Sequence, residues 1–189
     1  MNIIDVYQSN QTIFTTQELS QLSPSDTPFQ LNNALHYAVK KSKLLHLRRG
    51  IYAKRDYDIR ELAAALYIPS YISLETVLRD HGIIFQASST IQSVSYLSRS
   101  INVVNTPYEY RKLKDQILTN PQGLISHGRY TIASAERALL DSIAIFSDYH
   151  FDNLTPINWD LVDQLIPLYD NQSLARKADK LRIQHMSSL

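Results

Sequence analysis

The chain has 189 residues, of which 44% are hydrophobic and 20% charged, a balance that supports one large or two small globular domains with a buried core. It contains no cysteine, which excludes disulfides and thiolate metal sites. No apolar run is long enough to span a bilayer, and the N-terminal segment MNIIDVYQSN lacks the basic-then-apolar layout of a signal peptide. We therefore expect a cytoplasmic protein that does not enter a membrane.

The net charge of +1 conceals a basic segment near the N-terminus. Residues 1–56 carry seven Lys or Arg against four Asp or Glu, whereas residues 57–189 carry twelve against fourteen. The stretch from Lys40 to Arg55 contains seven basic residues and no acidic one. Such a run is often only a solvated surface. A concentrated positive field is also what binding to phosphate backbones requires.

Two helices and a short strand are predicted in the first 22 residues. Apolar residues at helical spacing between positions 3 and 7 indicate the first helix, and QTIF is typical of a brief extended segment. Thr15, with Glu18 three residues later, forms a capping-box pattern. This pattern predicts a second helix over about residues 16–22, which buries Leu19 and Leu22.

A second capping box, Thr27-Pro28-Phe29-Gln30, predicts a third helix from Pro28 to about Ser42. Its apolar stripe faces a core, and its other flanks carry polar residues. Asn forms paired hydrogen bonds to an adenine edge, and Lys reaches guanine or phosphate, so these residue types suit a helix that enters a major groove. A generic surface helix has the same composition.

The segment LLHLRRGIYAK, residues 44–54, predicts a β-hairpin with a basic tip. Apolar and polar residues alternate on both sides of Arg48-Arg49-Gly50, and Gly50 supplies the positive φ that tight turns require. This order of elements, namely helix, strand, helix, turn, helix and hairpin, is that of a winged helix-turn-helix domain. We assign residues 1–56 to this domain. The candidate DNA-binding residues are Gln30, Asn32, Asn33, His36, Tyr37, Lys40, Lys41, Lys43, Arg48 and Arg49.

Residues 57–189 predict a second domain, which begins after the polar segment Asp56-Tyr57-Asp58. Helices are expected over residues 60–67, 74–81, 137–146, 159–169 and 173–185, with Ser73 and Ser134 as N-caps. TIQSVSYL, INVVNT and LISHGRYTI each predict a strand, and residues 108–118 are ambiguous between strand and helix. The fold class is therefore α+β, with a small sheet and C-terminal helices.

Patterns typical of catalysis or cofactor binding are missing from the sequence. The six histidines show no HxxxH or HExxH spacing, and the four glycines form no phosphate-binding loop. Arg137 and Asp141 share a helix face and pair at i, i+4, an arrangement that, if buried, fixes the helix on the sheet. We expect no cofactor and no enzyme activity, although an enzyme that acts on nucleic acid through clustered acidic residues is a further hypothesis.

Four segments, in order, resemble the AbiE-type (AbiEi) antitoxin family of type IV toxin–antitoxin systems: KSKLLHLRRGIYAK, PSYISLETVLRDHGII, IASAERALLDSI and YDNQSLARKADKL. The resemblance implies a bacterial, phage or plasmid-borne antitoxin of phage defence. In that family a winged helix-turn-helix domain binds promoter DNA and represses the operon. The second domain counteracts a nucleotidyltransferase-like toxin encoded alongside. A stand-alone regulator, whose second domain senses a ligand or dimerises, could share this layout.

Overall fold

A computed structural model describes residues 3–187, and its helices follow the sequence predictions closely. Residues 1–2 and 188–189, at the outer ends of the two predicted domains, lie outside the described residues. The helices are α1 (Ile3–Gln8), α2 (Thr16–Gln21), α3 (Pro28–Lys40), α4 (Ile59–Leu66), α5 (Leu74–Asp80), α6 (Asp115–Leu118), α7 (Ala135–Ile145), α8 (Trp159–Tyr169) and α9 (Gln172–Ser187). Within residues 3–187, no helix combines the length and apolar character needed to cross a membrane.

The strands form two separate sheets, so the fold is α+β. They are β1 (Ile13–Thr15), β2 (Leu45–Arg48), β3 (Ile51–Ala53), β4 (Ser70–Ile72), β5 (Ile91–Ser95), β6 (Arg99–Val103), β7 (Thr106–Lys112), β8 (Leu124–Ser126) and β9 (Thr131–Ala133). A three-stranded sheet has the order β1-β3-β2, and a six-stranded sheet has the order β6-β7-β5-β4-β9-β8. The second sheet mixes parallel pairs (β4–β9 and β5–β7) with antiparallel ones.

Capping determines where the N-terminal helices begin. Both expected capping boxes are present: Thr15 with Glu18 opens α2, and Thr27 with Gln30 opens α3. The prediction that Leu22 is buried is wrong, because α2 ends at Gln21 and the Leu22 side chain is 38% exposed. The small core of this region consists of Val6, Phe14, Leu19, Leu31, Leu35, Ala38 and Leu44.

The predicted hairpin is formed by β2 and β3. His46 lies opposite Tyr52, the register shifts between His46 and Arg48, and Gly50 has φ +78°. Leu45 and Leu47 pack against the larger hydrophobic cluster, which fills the rest of the molecule. The alternation in the sequence therefore gives β2 a partly buried face, with Leu45 and Leu47, and an exposed face, with His46 and Arg48.

The segment LISHGRYTI forms two strands rather than the single strand expected. β8 and β9 pair antiparallel across a turn in which Gly128 has φ +77°. The ambiguous segment 108–118 contains both structures, since β7 continues to Lys112 and α6 follows. With β4, which was not predicted from the sequence, these additions enlarge the predicted small sheet to six strands.

A buried ion pair connects α7 to its neighbours. Arg137 and Asp141 are both 0% exposed, with Nε and Oδ1 3.4 Å apart. Asp141 also accepts hydrogen bonds from Ser73 Oγ at 2.7 Å, Tyr169 OH at 2.6 Å and Tyr71 OH at 3.0 Å. Burial raises the pKa of Asp141, while the Arg137 charge and the three hydroxyl donors oppose the rise. The pair thus attaches α7 to β4 and α8.

Arg137 has further partners in the chain segment around α6. Its NH2 group donates to the carbonyl of Ile117, and its NH1 group donates to the carbonyl of Gln122, both at 2.6 Å. The expectation that this pair fixes the helix on the sheet is confirmed. Ser73 precedes α5 as expected, but its side chain makes no capping hydrogen bond: its hydroxyl donates to Asp141, and the Glu75 N–H donates to Gln92 Oε1 at 3.1 Å instead.

We expect Asp141→Asn to destabilise the fold by about 3–5 kcal/mol, because it leaves the buried Arg137 charge without a counterion. Asp163→Asn is the matched control, since Asp163 pairs with Arg182 at 2.9 Å on the surface, where the side chains are 51% and 34% exposed. The control should cost less than about 1 kcal/mol. Urea unfolding at pH 7 measures both free energies, and equal destabilisation by the two substitutions would show that the buried network does not hold the fold.

Candidate nucleic-acid interface

A cleft of about 650 Å³ opens between α2, α3 and the β2–β3 hairpin. We call it the hairpin cleft. Its polar and aromatic lining comes from all three elements: Thr16, Gln17, Ser20, Gln21, Asn32, His36, His46, Arg49 and Tyr52. None of its lining residues is Asp or Glu. The cleft therefore combines one permanent positive charge, that of Arg49, with several hydrogen-bonding groups and an apolar floor.

The capping box and Pro28 fix the start of α3, and its buried stripe fixes its rotation. Leu31, Leu35 and Ala38 face the small core. At 3.6 residues per turn, Asn33 and Lys40 lie on the opposite side, and both are exposed. One flank of this outward surface, at Asn32 and His36, lines the hairpin cleft.

The tip of the hairpin is attached to the start of α2. The backbone N–H of Thr16 donates to the carbonyl of Gly50 at 2.9 Å, and Thr16 Oγ1 lies 3.4 Å from the same oxygen. Gly50 has a positive φ, which a side chain would strain. This contact sets the distance between the hairpin and the two helices, and so the width of the cleft.

The two arginines of the tip occupy different surroundings. Arg49 lines the hairpin cleft, and Arg48 does not. Burial raises the pKa of Tyr110 in β7, and the charge of Arg48 partly opposes this rise. Arg48 therefore lies near enough to the six-stranded sheet to act on Tyr110. Sequence reasoning treated the two as one unit, but Arg48 ends β2 opposite Ile51, whereas Arg49 lies in the turn that follows.

All ten predicted residues are exposed, but they do not form a single site. Asn32, His36 and Arg49 come together in the hairpin cleft. Asn33 and Lys40 lie on the outward face of α3, while Gln30, Tyr37 and Lys41 occupy its other flank. Lys43 and Arg48 lie away from the cleft lining.

Two residues on the far flank of α3 already have partners. The side-chain oxygen of Gln30 accepts a hydrogen bond from the Thr27 N–H at 2.8 Å, so the capping box uses it. Lys41 Nζ lies 5.8 Å from the centre of the Tyr37 ring, a cation–π contact. The side-chain oxygen of Gln30 is thus used within the protein, and its amide N–H groups are the part of the side chain that can donate to a ligand.

The end of the basic run supports the fold rather than the cleft. Lys54 Nζ donates to the carbonyl oxygens of Ser9 and Tyr7, and Arg55 Nε donates to the carbonyl of Ser42 at 3.0 Å. Burial lowers the pKa of Lys54, and the Glu61 charge opposes this. Five of the seven basic residues between positions 40 and 55 therefore supply the positive surface.

Several cleft residues were missed by sequence reasoning. Gln17 and Gln21 are spaced i, i+4 on α2, a pattern that could have placed them on one helix face. His46 and Tyr52 stack with ring centres 4.9 Å apart, a contact that follows from the hairpin register. Burial raises the pKa of the Tyr52 hydroxyl above its ordinary value.

A second cleft, of about 520 Å³, lies between residues 146–154 and α9. Phe146, Tyr149 and Lys180 are among its lining residues, and Lys177 Nζ donates to the Ser147 carbonyl at 2.8 Å. Asp148 and Asp152 also line it, so its charge is mixed. Across the described residues 3–187, no group of three or more His, Asp or Glu side chains is arranged to hold a metal ion.

In comparison with known proteins, the chain matches no protein-family model and no curated protein sequence.

Proposed function

We propose that this protein is a DNA-binding antitoxin that represses its own operon and is not an enzyme. The observation that carries the DNA-binding part is the hairpin cleft, which is free of carboxylates and is joined to the outward face of α3, where Asn33 and Lys40 are exposed. Double-stranded DNA presents dense negative charge, and a surface of this kind attracts it. The expected partner is double-stranded promoter DNA.

The arrangement of elements supports the interpretation of residues 1–56 as a winged helix-turn-helix. Helices α1, α2 and α3 precede a hairpin whose second strand pairs with β1, giving the order β1-β3-β2. In this interpretation α3 enters the major groove and the hairpin lies against the neighbouring backbone. Arg49 then contacts phosphate, while Asn33 faces base edges.

The antitoxin part of the proposal rests on the resemblance to AbiE-type antitoxins. The segment IASAERALLDSI spans the start of α7 and includes both members of the buried Arg137–Asp141 pair. The segment YDNQSLARKADKL covers the junction of α8 and α9. We infer that residues 57–189 counteract a nucleotidyltransferase-like toxin encoded by a neighbouring gene.

A stand-alone regulator is the second candidate function. The cleft between residues 146–154 and α9 favours it, because a volume of about 520 Å³ is within the usual range of small-ligand sites. In this case residues 57–189 sense a ligand, and no toxic neighbour exists.

We expect Arg49→Ala to weaken promoter binding roughly tenfold, because it removes a charged donor to phosphate. It should also reduce the slope of log Kd against log salt by about one, since one counterion fewer is released. Arg48→Ala is the matched control and should change both quantities less. Fluorescence anisotropy with a promoter fragment at several salt concentrations measures them. Equal effects of the two substitutions would remove the cleft from the interface.

We expect expression of the adjacent gene to arrest growth, and co-expression of this protein to restore it. Arg49→Ala should still restore growth, because the proposed antitoxin region lies in residues 57–189, but it should release a promoter reporter from repression. Colony counts and reporter activity provide the two readouts. A neighbour that is harmless with and without this protein would end the antitoxin proposal in favour of the stand-alone regulator.

A further inference from the structure

Phe29 is the most exposed large hydrophobic side chain among residues 3–187, with 75% of its surface open to solvent. Its ring belongs to neither hydrophobic cluster and makes no stacking or cation–π contact with another described residue. An exposed aromatic ring at a rigid position is a common sign of a contact surface.

Helix capping does not explain the residue at this position. Thr27 is the N-cap of α3, and Gln30 closes the capping box, so neither hydrogen bond involves the Phe29 side chain. A hydrophobic staple would join the residue before the cap to the fourth helical residue. Those positions are Asp26 and Leu31, and Phe29 is neither of them.

Phe29 shares its face of α3 with the polar residues proposed to meet DNA. Phe29, Asn33, His36 and Lys40 follow one another at intervals of four, three and four, which places them along one side of the helix. All four are exposed. Phe29 stands in the first turn, and the first residues of a helix in the major groove are those that reach base edges.

The chemistry of the major groove gives an apolar ring one specific partner. Each base edge there presents hydrogen-bond donors or acceptors, and thymine alone adds a methyl group. A phenyl ring cannot satisfy a donor or an acceptor, but it buries a methyl group favourably. Helix α3 itself contains no carboxylate, and the face that carries Phe29 also carries Asn33, His36 and Lys40, a composition that favours nucleic acid over an apolar protein as the molecule that covers the ring.

We propose that Phe29 is a specificity-determining residue that contacts the 5-methyl group of a thymine in the bound promoter. This inference rests on the proposed DNA-binding function and extends it to one base type. Phe29 supplies discrimination between thymine and the other bases, and the neighbouring charges supply affinity without discrimination.

The test compares a promoter fragment from upstream of this protein's own gene with the same fragment made with deoxyuridine in place of thymidine. Deoxyuridine pairs as thymidine does and differs from it only in having no methyl group. Because a single methyl group no longer meets the ring, the full-length protein should bind the deoxyuridine fragment about fourfold more weakly. Phe29→Ala should weaken binding to the thymidine fragment by a similar factor and bring the ratio of the two Kd values close to one.

Phe85→Ala is the matched control, because Phe85 is also an exposed phenylalanine, 69% open, in the loop that follows α5. It should keep the wild-type ratio, and any effect of deoxyuridine on DNA shape would be measured by the ratio that is left in Phe29→Ala. Both side chains are exposed, so neither substitution should alter the thermal unfolding midpoint.

A scrambled fragment of equal length distinguishes failure of the inference from failure of the proposed function. If the protein prefers the promoter to the scrambled DNA and Phe29→Ala keeps the wild-type ratio, the thymine contact is wrong and the DNA-binding proposal stands. If it shows no preference for the promoter, the proposed function falls and the inference falls with it.

Discussion

The buried carboxylate of Asp141 is the constraint on which the larger part of the fold depends. A carboxylate with 0% exposure must find all its hydrogen-bond partners inside the protein, and here they come from β4, α7 and α8. Arg137 extends the network to the carbonyls of Ile117 and Gln122. The relative positions of these elements are therefore set by directional contacts as well as by apolar packing.

The N-terminal region is attached to this framework through β1. Ile13 belongs to the larger hydrophobic cluster and Phe14 to the smaller one, so successive residues of a single strand contribute to both. Beside them, the Thr12 N–H donates to the buried Glu61 carboxylate of α4 at 2.9 Å. The three-stranded sheet therefore contributes side chains to both hydrophobic clusters. Packing continues across the predicted domain boundary near residue 56. The hairpin cleft is accordingly held in place relative to the rest of the molecule.

Local signals in the sequence were sufficient for most of the elements. Both capping boxes, the Gly50 turn and the Ser134 cap depend on residues only a few positions apart, and each occurs as expected. The buried pairing of Arg137 with Asp141 also followed from helical spacing. About half of the candidate site followed in the same way, since Asn32, Asn33, His36, Lys40 and Arg49 lie along the cleft or on the outward face of α3.

The predictions that failed depended on pairing and hydrogen-bond partners that the pattern of the sequence does not show. Ser73 makes no capping bond to α5, since its hydroxyl is directed to Asp141, far along the chain, and the Glu75 N–H donates to Gln92 instead. One expected strand became β8 and β9 because strand pairing, which periodicity does not reveal, folds the segment back at Gly128. Arg48 ends β2 opposite Ile51, whereas Arg49 lies in the turn that follows. The pairing partner of each residue, which a local pattern does not identify, decided each of these cases.

The charges of the proposed interface and its shape perform different physical tasks. Lysine and arginine side chains that contact phosphate bind any backbone, so sequence preference must come from side chains that reach base edges. Such side chains discriminate only when the backbone that carries them is rigid, because ordering a loose segment consumes binding free energy. Here α3 is fixed by its cap and its buried stripe, and the hairpin is fixed by the contact between Thr16 and Gly50. Rigid elements that combine a positive field with exposed neutral side chains are suited to recognising DNA sequence rather than merely adhering to DNA.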